Sequence, residues 1–578
     1  MLAIAMLGRV CGAAGPRADQ TASTPAFRNN APGVKFVGSA ACATCHQDIY
    51  DEYARTDMAR TISPADDPAQ LARANSHVSI YDKDRGSYFD VSHNGNHIDQ
   101  GEYALDSSGH ELYRHQETLA YAIGAGANGW TYLIERGSYL FQAPLSFYAK
   151  TGSWGLSPGH ELGFNRAITT GCIVCHSGRA LPVPHRDAAY QRPAFSELTI
   201  GCENCHGPGE LHVNERSKGA PVEGSIDTSI VNPARLPGWL ADNICMFCHQ
   251  EGDARVLQPG RDYLDYRPGT PLDRTIVILT LADDTNTQRP SPLLNHYSLM
   301  VSSRCYRDSG GKLGCLTCHD PHVQPSAARA PAYYRSKCLS CHTETSCKLT
   351  VAARRRASDD CASCHMPKRQ LQTIAHSALT DHRIVRHPGE SDPSGAVGVA
   401  VAGLAGAFEL DAEPGPETIA LPPLTRLVAL RQLADRGEPY KSQYLATLKQ
   451  VAPGEPDNPL VLGMLARAAV QDGSSDGENR AIEDLSRAIQ SGSTWAPDYD
   501  LLGTLLLRAG RAQEAADVVG RGIALAPYTA SLYALMAECD EALRKRAAAV
   551  DTLERGLSLF PEERSMREDL ARIRSTAH

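Results

Sequence analysis

Residues 202–212 read CENCHGPGELH, and the Cys-x-x-Cys-His pattern that opens this stretch occurs seven times in the chain. With 18 Cys and 21 His among 578 residues, seven copies exclude chance. The two thiols of such a motif take the two vinyl groups of a porphyrin as thioethers, and the adjacent His binds its iron. Zinc also binds paired Cys-x-x-Cys units, but zinc sites do not require a His after every second Cys. The motif therefore predicts seven covalently bound c-type haems.

The predicted residues of these sites follow directly from the motifs. The expected attachment residues are Cys42, Cys45, Cys172, Cys175, Cys202, Cys205, Cys245, Cys248, Cys315, Cys318, Cys338, Cys341, Cys361 and Cys364. The expected proximal iron ligands are His46, His176, His206, His249, His319, His342 and His365.

The sixth ligand of each iron separates electron transfer from catalysis, because a second His or a Met closes the iron and an open position admits substrate. Enough further histidines precede the C-terminal region to close all seven irons. His322 lies three residues after His319, too close to bind the same iron, so it either serves a neighbouring haem or is structural. The candidate distal ligands are His115, His212, His296, His322, and one of His376 and His382.

Met58 is a different kind of candidate. It follows His46 by twelve residues, about three turns of helix. A Met ligand raises the potential of a haem relative to a His ligand. The pattern leaves two interpretations open, an axial ligand of the first haem and a core methionine.

Composition divides the chain into four parts. Residues 1–36 are a signal-like apolar segment and a flexible leader, and covalent haem attachment implies export to the periplasm or the cell exterior. Residues 37–388 are expected to form a heptahaem domain of short helices and loops around stacked haems, with a small β insert at about 77–150. Residues 389–417 form a predicted linker, and residues 418–578 a predicted helical domain. The expected fold class is mainly α.

The C-terminal part contains an internal repeat. Six residues recur after 34 positions, a period typical of tetratricopeptide repeats, although a generic helical bundle is the alternative. The pairs are Tyr499 and Tyr533, Leu502 and Met536, Gly503 and Ala537, Ala515 and Ala549, Val519 and Leu553, and Pro527 and Pro561. Such a solenoid without metal ligands predicts a surface for protein docking.

Four cysteines lie outside the motifs. Cys305 and Cys347 are expected to form a disulfide in an oxidising compartment, and Cys539 to be a buried thiol on a helix of the last repeat. Cys11 lies in the signal-like segment.

Several stretches resemble a known family. CENCHGPGELH, CMFCHQEGDARVLQPGRDYLDYRPG, GKLGCLTCHDPH and CASCHMPK are similar to multihaem cytochromes c that carry C-terminal tetratricopeptide repeats, and to the cytochrome c-554 group of exported electron carriers. The CHMPK ending also resembles the last haem motif of pentahaem nitrite reductase. The c-554 group often has His where this chain has Met58, which implies that position 58 faces a haem.

These observations lead us to expect an exported electron carrier that docks redox partner proteins through its repeats. Two alternatives stay open: an oxidoreductase acting on a small nitrogen or sulfur compound at one open haem, and a self-assembling subunit of a conductive filament. No Cys-x-x-Cys-Lys variant occurs, which favours the carrier. A net charge of −9 speaks against a nucleic-acid partner, and no run of 18 apolar residues predicts a transmembrane segment.

Overall fold

The computed structural model describes residues 26–75, 77–281, 296–310, 312–370, 378–387, 390, 400–401, 408–410, 418–419, 421–436, 440–471 and 473–575. The predictions made for the signal-like segment, Cys11 and His376 lie outside these residues.

Short helices carry the motifs, as expected. In the first motif the amide of His46 donates to the carbonyl of Cys42 at 2.9 Å, and His206 donates to Cys202 at 3.0 Å. Each motif of this kind is thus one turn of helix. The helices of this part are α1 (Ser39–Ala43), α2 (Gln47–Tyr53), α3 (Pro68–Leu71), α4 (Thr170–Ile173), α5 (Glu203–His206), α6 (Glu210–Ser217), α7 (Gly238–His249), α8 (His296–Ser302), α9 (Arg304–Asp308), α10 (Cys315–Cys318), α11 (Ala330–Cys338), α12 (Val351–Arg356) and α13 (Cys361–His365).

The β insert is larger than predicted. One antiparallel sheet runs in the order β2-β3-β4-β5-β6-β7-β8, with β1 on β5 and β9 on β7. The sheet therefore begins at residue 62 and ends at residue 167, because two strands too short to show alternation pair with β5 and β7. Its strands are β1 (Ile62–Pro64), β2 (Val78–Asp82), β3 (Ser87–Asn94), β4 (His97–Leu105), β5 (Glu111–Ile123), β6 (Gly129–Arg136), β7 (Tyr139–Tyr148), β8 (Ser153–Leu156) and β9 (Arg166–Ala167).

Smaller sheets follow the insert. They consist of β10 (Arg179–Pro182), β11 (Tyr190–Glu197), β12 (Ala254–Leu257), β13 (Ile276–Leu281), β14 (Lys368–Gln370), β15 (Ala378–Thr380), β16 (Ala400–Val401), β17 (Phe408–Leu410) and β18 (Thr418–Ile419). β17 pairs with β13. Part of the predicted 389–417 linker is therefore a strand of a sheet, which corrects that assignment.

The C-terminal part is a helical repeat, as predicted. Gly522 and Gly556, 34 residues apart, have the same role: an added Cβ would lie 2.9 Å from the Cβ of Tyr499 in the first case and 3.1 Å from that of Tyr533 in the second. Both glycines let successive helices approach closely. The helices are α14 (Pro423–Leu433), α15 (Tyr440–Val451), α16 (Pro459–Val470), α17 (Ser475–Gln490), α18 (Ala496–Arg508), α19 (Ala512–Leu525), α20 (Ala530–Ala542), α21 (Arg546–Leu559) and α22 (Arg564–Ser575).

The repeat region packs against the rest of the chain at both ends. At one end, buried side chains of α14 and α15 share a core with Val256 of β12 and Val277 of β13. At the other, Tyr528 packs edge-on against Tyr139 and Phe141 of the large sheet. This differs from the expectation of two separate domains, because apolar surface on both sides is buried in common clusters.

Candidate functional site

Four motif histidines each face a second histidine. The pairs and their ring-centroid distances are His46–His212 at 6.5 Å, His206–His322 at 6.0 Å, His249–His296 at 5.7 Å and His319–His382 at 6.3 Å. The ring planes of each pair lie within 35° of each other.

These separations suit a metal held between two imidazoles. Metal–imidazole bonds are about 2 Å long, so two rings that bind one iron from opposite faces have centroids roughly 6 Å apart. Each distal ring comes from a different part of the sequence than the motif it faces. The pairs therefore have the dimensions of bis-His iron sites.

Hydrogen bonds at Nδ1 orient several of these rings. Nδ1 of His206 lies 2.7 Å from the carbonyl oxygen of Val231, and Nδ1 of His382 lies 2.9 Å from that of Thr380. A carbonyl oxygen can only accept, so Nδ1 carries the proton and Nε2 keeps its lone pair. His212 is held in the same way by Asp227, 3.2 Å from its Nδ1. These rings present Nε2 for a metal.

Loss of solvent contact favours the neutral form of five of the paired histidines, and neutral imidazole is the form that binds a metal. Burial lowers the pKa of His206, His249, His319 and His382 below the ordinary range. It lowers the pKa of His296 to about 3, assisted by the neighbouring His382 ring, whose centroid is 4.4 Å away. The His249 and His319 pairs therefore adjoin each other.

The thiols show which motifs are neighbours. In four cases a thiol of one motif lies close enough to a thiol of another motif to shift its pKa: Cys202 acts on Cys42, Cys175 on Cys248, Cys245 on Cys315, and Cys361 on Cys338. The first motif thus lies beside the third, the second beside the fourth, the fourth beside the fifth, and the sixth beside the seventh. Spatial order differs from sequence order at the N-terminal end.

A buried hydroxyl lies between the third and fourth motifs. Tyr266 is 8% exposed, and its hydroxyl has no hydrogen-bond partner among the described residues. Burial raises its pKa, and the nearby thiols of Cys245, Cys205 and Cys248 add to that shift. An unpaired buried hydroxyl is costly, so its place beside three motif cysteines fits a bound group with acceptor atoms.

Three motif histidines show no second imidazole of this kind within the described part of the chain: His176, His342 and His365. Burial, followed by the neighbouring His249, lowers the pKa of His176. Nδ1 of His365 donates to the carbonyl of Val385 at 2.7 Å, so its ring is also oriented. The other predicted distal ligand of this region, His376, lies outside the described residues.

The structure places His212, not Met58, opposite His46. Met58 begins a 3₁₀ turn (Met58–Arg60), and its neighbour Asp57 exchanges hydrogen bonds with Gln324, beyond the fifth motif. Since His212 already faces His46, the expectation that Met58 ligates a metal there has no geometric support. The half-buried Met58 fits the packing interpretation.

His115 is also not placed as a metal ligand. Its Nδ1 lies 3.0 Å from Glu562 and its Nε2 3.0 Å from both Glu117 and Arg136. Neither ring nitrogen is free. His115 instead joins β5 to the C-terminal end of the repeat region, where Glu562 also accepts from Asn165 at 2.6 Å. This corrects the prediction, which could not foresee a partner 447 residues away.

Replacing Glu562 by glutamine is expected to destabilise the protein by about 1–3 kcal/mol, because a charged hydrogen bond to His115 becomes neutral. Burial acts to lower the pKa of His115, but its hydrogen bonds to Glu117 and Glu562 outweigh burial and raise it above 6.5. That stabilisation is full below the unfolded-state pKa and is lost as pH rises through the folded-state pKa. The loss of stability in E562Q, measured by thermal unfolding, should therefore be larger at pH 6 than at pH 9.

The surface variant E554Q is the control. An equal loss of stability in E562Q at both pH values would contradict the assignment.

The remaining thiols divide as follows. Cys305 and Cys347 are free, so the predicted disulfide between them is wrong in this structure. Burial raises the pKa of the Cys305 thiol, and the nearby Asp308 and Cys341 raise it further. Cys539 is 0% exposed, which confirms the buried thiol, and burial raises its pKa to about 11.

Comparisons with known proteins add little. No family model matches, and no curated protein matches. Among solved structures, MamA 41-end from Desulfovibrio magneticus RS-1 is 19% identical and covers 27% of this chain and 85% of its own, with a TM-score of 0.24. The Arabidopsis OM64 TPR domain is 18% identical over 20% of this chain and 95% of its own, with a TM-score of 0.19. The first TPR of Spaghetti, bound to an HSP90 peptide, is 18% identical over 21% of this chain and 95% of its own, also at 0.19.

The described residues contain neither a membrane-spanning helix nor a site for a bare metal ion. No helix there is long and apolar enough to cross a membrane. No three His, Cys, Asp or Glu side chains converge there on a position for a bare metal ion.

Proposed function

We propose that this chain is an exported heptahaem cytochrome c that carries electrons. The observation that carries the proposal is the set of four motif histidines, each facing a second imidazole at 5.7–6.5 Å. Two neutral imidazoles on one iron close it to substrate and leave electron transfer as its chemistry.

In this proposal, different residues of the chain attach the haems, bind their irons and orient the ligands. The paired cysteines anchor each porphyrin covalently, and the motif and distal histidines hold its iron. Backbone carbonyls such as those of Val231 and Thr380 fix the imidazole tautomer, which also tunes the basicity of the ligand. When bound, haem supplies a one-electron couple. Neighbouring motifs, joined by contacts such as Cys42–Cys202 and Cys245–Cys315, keep successive sites close.

The repeat region would supply the docking surface for redox partner proteins or for further copies of the chain. Helical repeats present extended surfaces suited to this. Self-assembly into a filament is a separate outcome, which electron micrographs of secreted material would reveal.

A second candidate, an oxidoreductase acting on a small nitrogen or sulfur compound, is favoured by one observation. The side chain of His176 is exposed to solvent and shows no second imidazole among the described residues. An iron at this motif with an open position would bind small molecules. Low-temperature EPR of the oxidised protein, with and without nitrite or hydroxylamine, tests this: a high-spin signal that the ligand alters supports the enzyme.

Intact mass of the exported protein is the direct test of the carrier. We expect the mature chain plus seven haems, all retained after denaturation because thioether bonds are covalent. The Cys202→Ala/Cys205→Ala variant should hold one haem fewer. A wild-type mass without haem, or a zinc content matching the motifs, would refute the proposal.

A further inference from the structure

Two arginines converge on one aromatic ring beside the second and third motifs. The guanidinium carbon of Arg179 lies 3.8 Å from the ring centroid of Phe36, and that of Arg267 lies 5.4 Å from the same centroid. Arg179 opens β10, three residues after His176, and the side chain of Asn204 in the third motif donates to the adjacent Gly178 carbonyl at 3.1 Å. The arginine pair is thus fixed to the motif region.

These two cations have no carboxylate partner in the described part of the chain. The side chain of Arg179 makes no hydrogen bond there, and that of Arg267 donates only to the carbonyl oxygens of Leu264 and Tyr266. The carboxylate of Glu203 acts on Arg179, but it already accepts from the backbone amides of Val37, Gly38 and Gly209. Asp265 acts on Arg267 and accepts from the amide of Asp262.

The positive charges of Arg179 and Arg267 are not balanced by an ion-paired carboxylate among the described residues. Burial lowers the pKa of both arginines, and the charge of Arg267 lowers that of Arg179 further. Two like charges brought together in a half-buried site are unfavourable unless an anion lies between them. Planar guanidinium groups match carboxylates in particular, because two parallel N–H groups meet two oxygens.

We propose that Arg179 and Arg267 bind the propionate carboxylates of a haem held in this part of the chain. The proposal rests on the proposed function, since it needs a porphyrin at the motifs, and it adds a role for residues outside them. The pair neutralises the propionates and thereby sets the potential of that one haem.

The test is a spectroelectrochemical titration of the holoprotein with R179Q, R267Q and the double variant. Positive charge beside a haem stabilises its reduced form, so each variant should shift one transition to lower potential, and the double variant should shift it further. R179K and R267K keep the charge and should stay near the wild type. Arg511→Gln, which removes an exposed arginine paired with Glu514 at 2.7 Å, is the matched control and should shift nothing.

The outcomes separate the two proposals. A wild-type protein without haem refutes the function itself. A double variant with seven haems and unchanged potentials refutes the arginine assignment alone. A potential that depends on phosphate concentration in the wild type, and not in R179Q, would show a solution anion at the pair and also refute it. If the double variant does not mature, the haem potentials of R179Q and R179K are compared. A lower potential in R179Q alone supports the assignment, and equal potentials in the two variants refute it.

Discussion

Replacing His212 by alanine is expected to convert one iron of the mature protein from low spin to high spin. In the structure His212 faces His46, with ring centroids 6.5 Å apart and its Nδ1 held by Asp227. Under the proposed function, removing this imidazole would leave the haem iron of the first motif, CATCH, with one protein ligand, and its other axial position would hold water or stay open. The expected effect is large, because an iron that loses a strong axial ligand changes completely from low spin to high spin.

Low-temperature EPR, counting high-spin iron per chain, measures this effect. H212A should gain one high-spin iron, and the potential of that haem should move. His110→Ala, at a histidine that is 80% exposed, is the control and should change nothing. The H115A variant should add no high-spin iron to the wild-type count, since His115 is held by carboxylates. A high-spin gain in H115A, or none in H212A, would contradict the ligand pairs. The M58A variant is expected to leave the first iron unchanged.

The sequence specifies the motif residues but not which histidines face each other in the structure. Each motif specifies its own cysteines and proximal His, because all of them lie on one turn of helix. The distal partner comes from elsewhere: His212 lies six residues after His206 yet faces His46, and His322 faces His206 rather than His319. Three-residue spacing was enough to exclude His319 as the partner of His322. It could not identify the actual partner, which depends on how distant segments pack.

The dependence on packing between distant segments also explains where the predicted fold differs from the structure. The strong 34-residue periodicity of the C-terminal part made the helical repeat predictable from the sequence. The edge strand Ile62–Pro64 and the strand Phe408–Leu410 have three residues each, too few to show alternation, and they form only because a longer strand offers unpaired amides and carbonyls. The contact of His115 with Glu562 belongs to the closure of the repeat region onto the large sheet, which no local pattern encodes.

The attachment of the repeat region leads to the second large effect, expected for Leu430→Ala. Leu430 lies on α14, is 0% exposed, and belongs to the cluster that includes Val256 of β12 and Val277 of β13. Truncating a buried leucine costs about 2–5 kcal/mol, through lost apolar burial and the cavity left behind. Polar contacts at the same junction, such as Gln432 with the backbone of Arg255 at 3.0 Å, would be loosened with it.

The position of Arg255 links this junction to the fourth motif. Its guanidinium donates to the carbonyl oxygens of Phe247, at 2.6 Å, and Gln250, at 3.1 Å, on either side of the motif residues Cys248 and His249. L430A should therefore lower the thermal midpoint and also perturb the absorption or potential of one haem. Leu505→Ala is the matched control, because Leu505 is 1% exposed in a cluster made only of repeat residues. It should cost a similar free energy of unfolding without altering any haem.

If both variants leave all haem signals unchanged, the repeat region is energetically separate from the motif region despite their shared core. If L430A alone changes them, a partner docked on the repeats, as proposed, would have a physical route to the proposed haem at His249, through α14, β12 and Arg255.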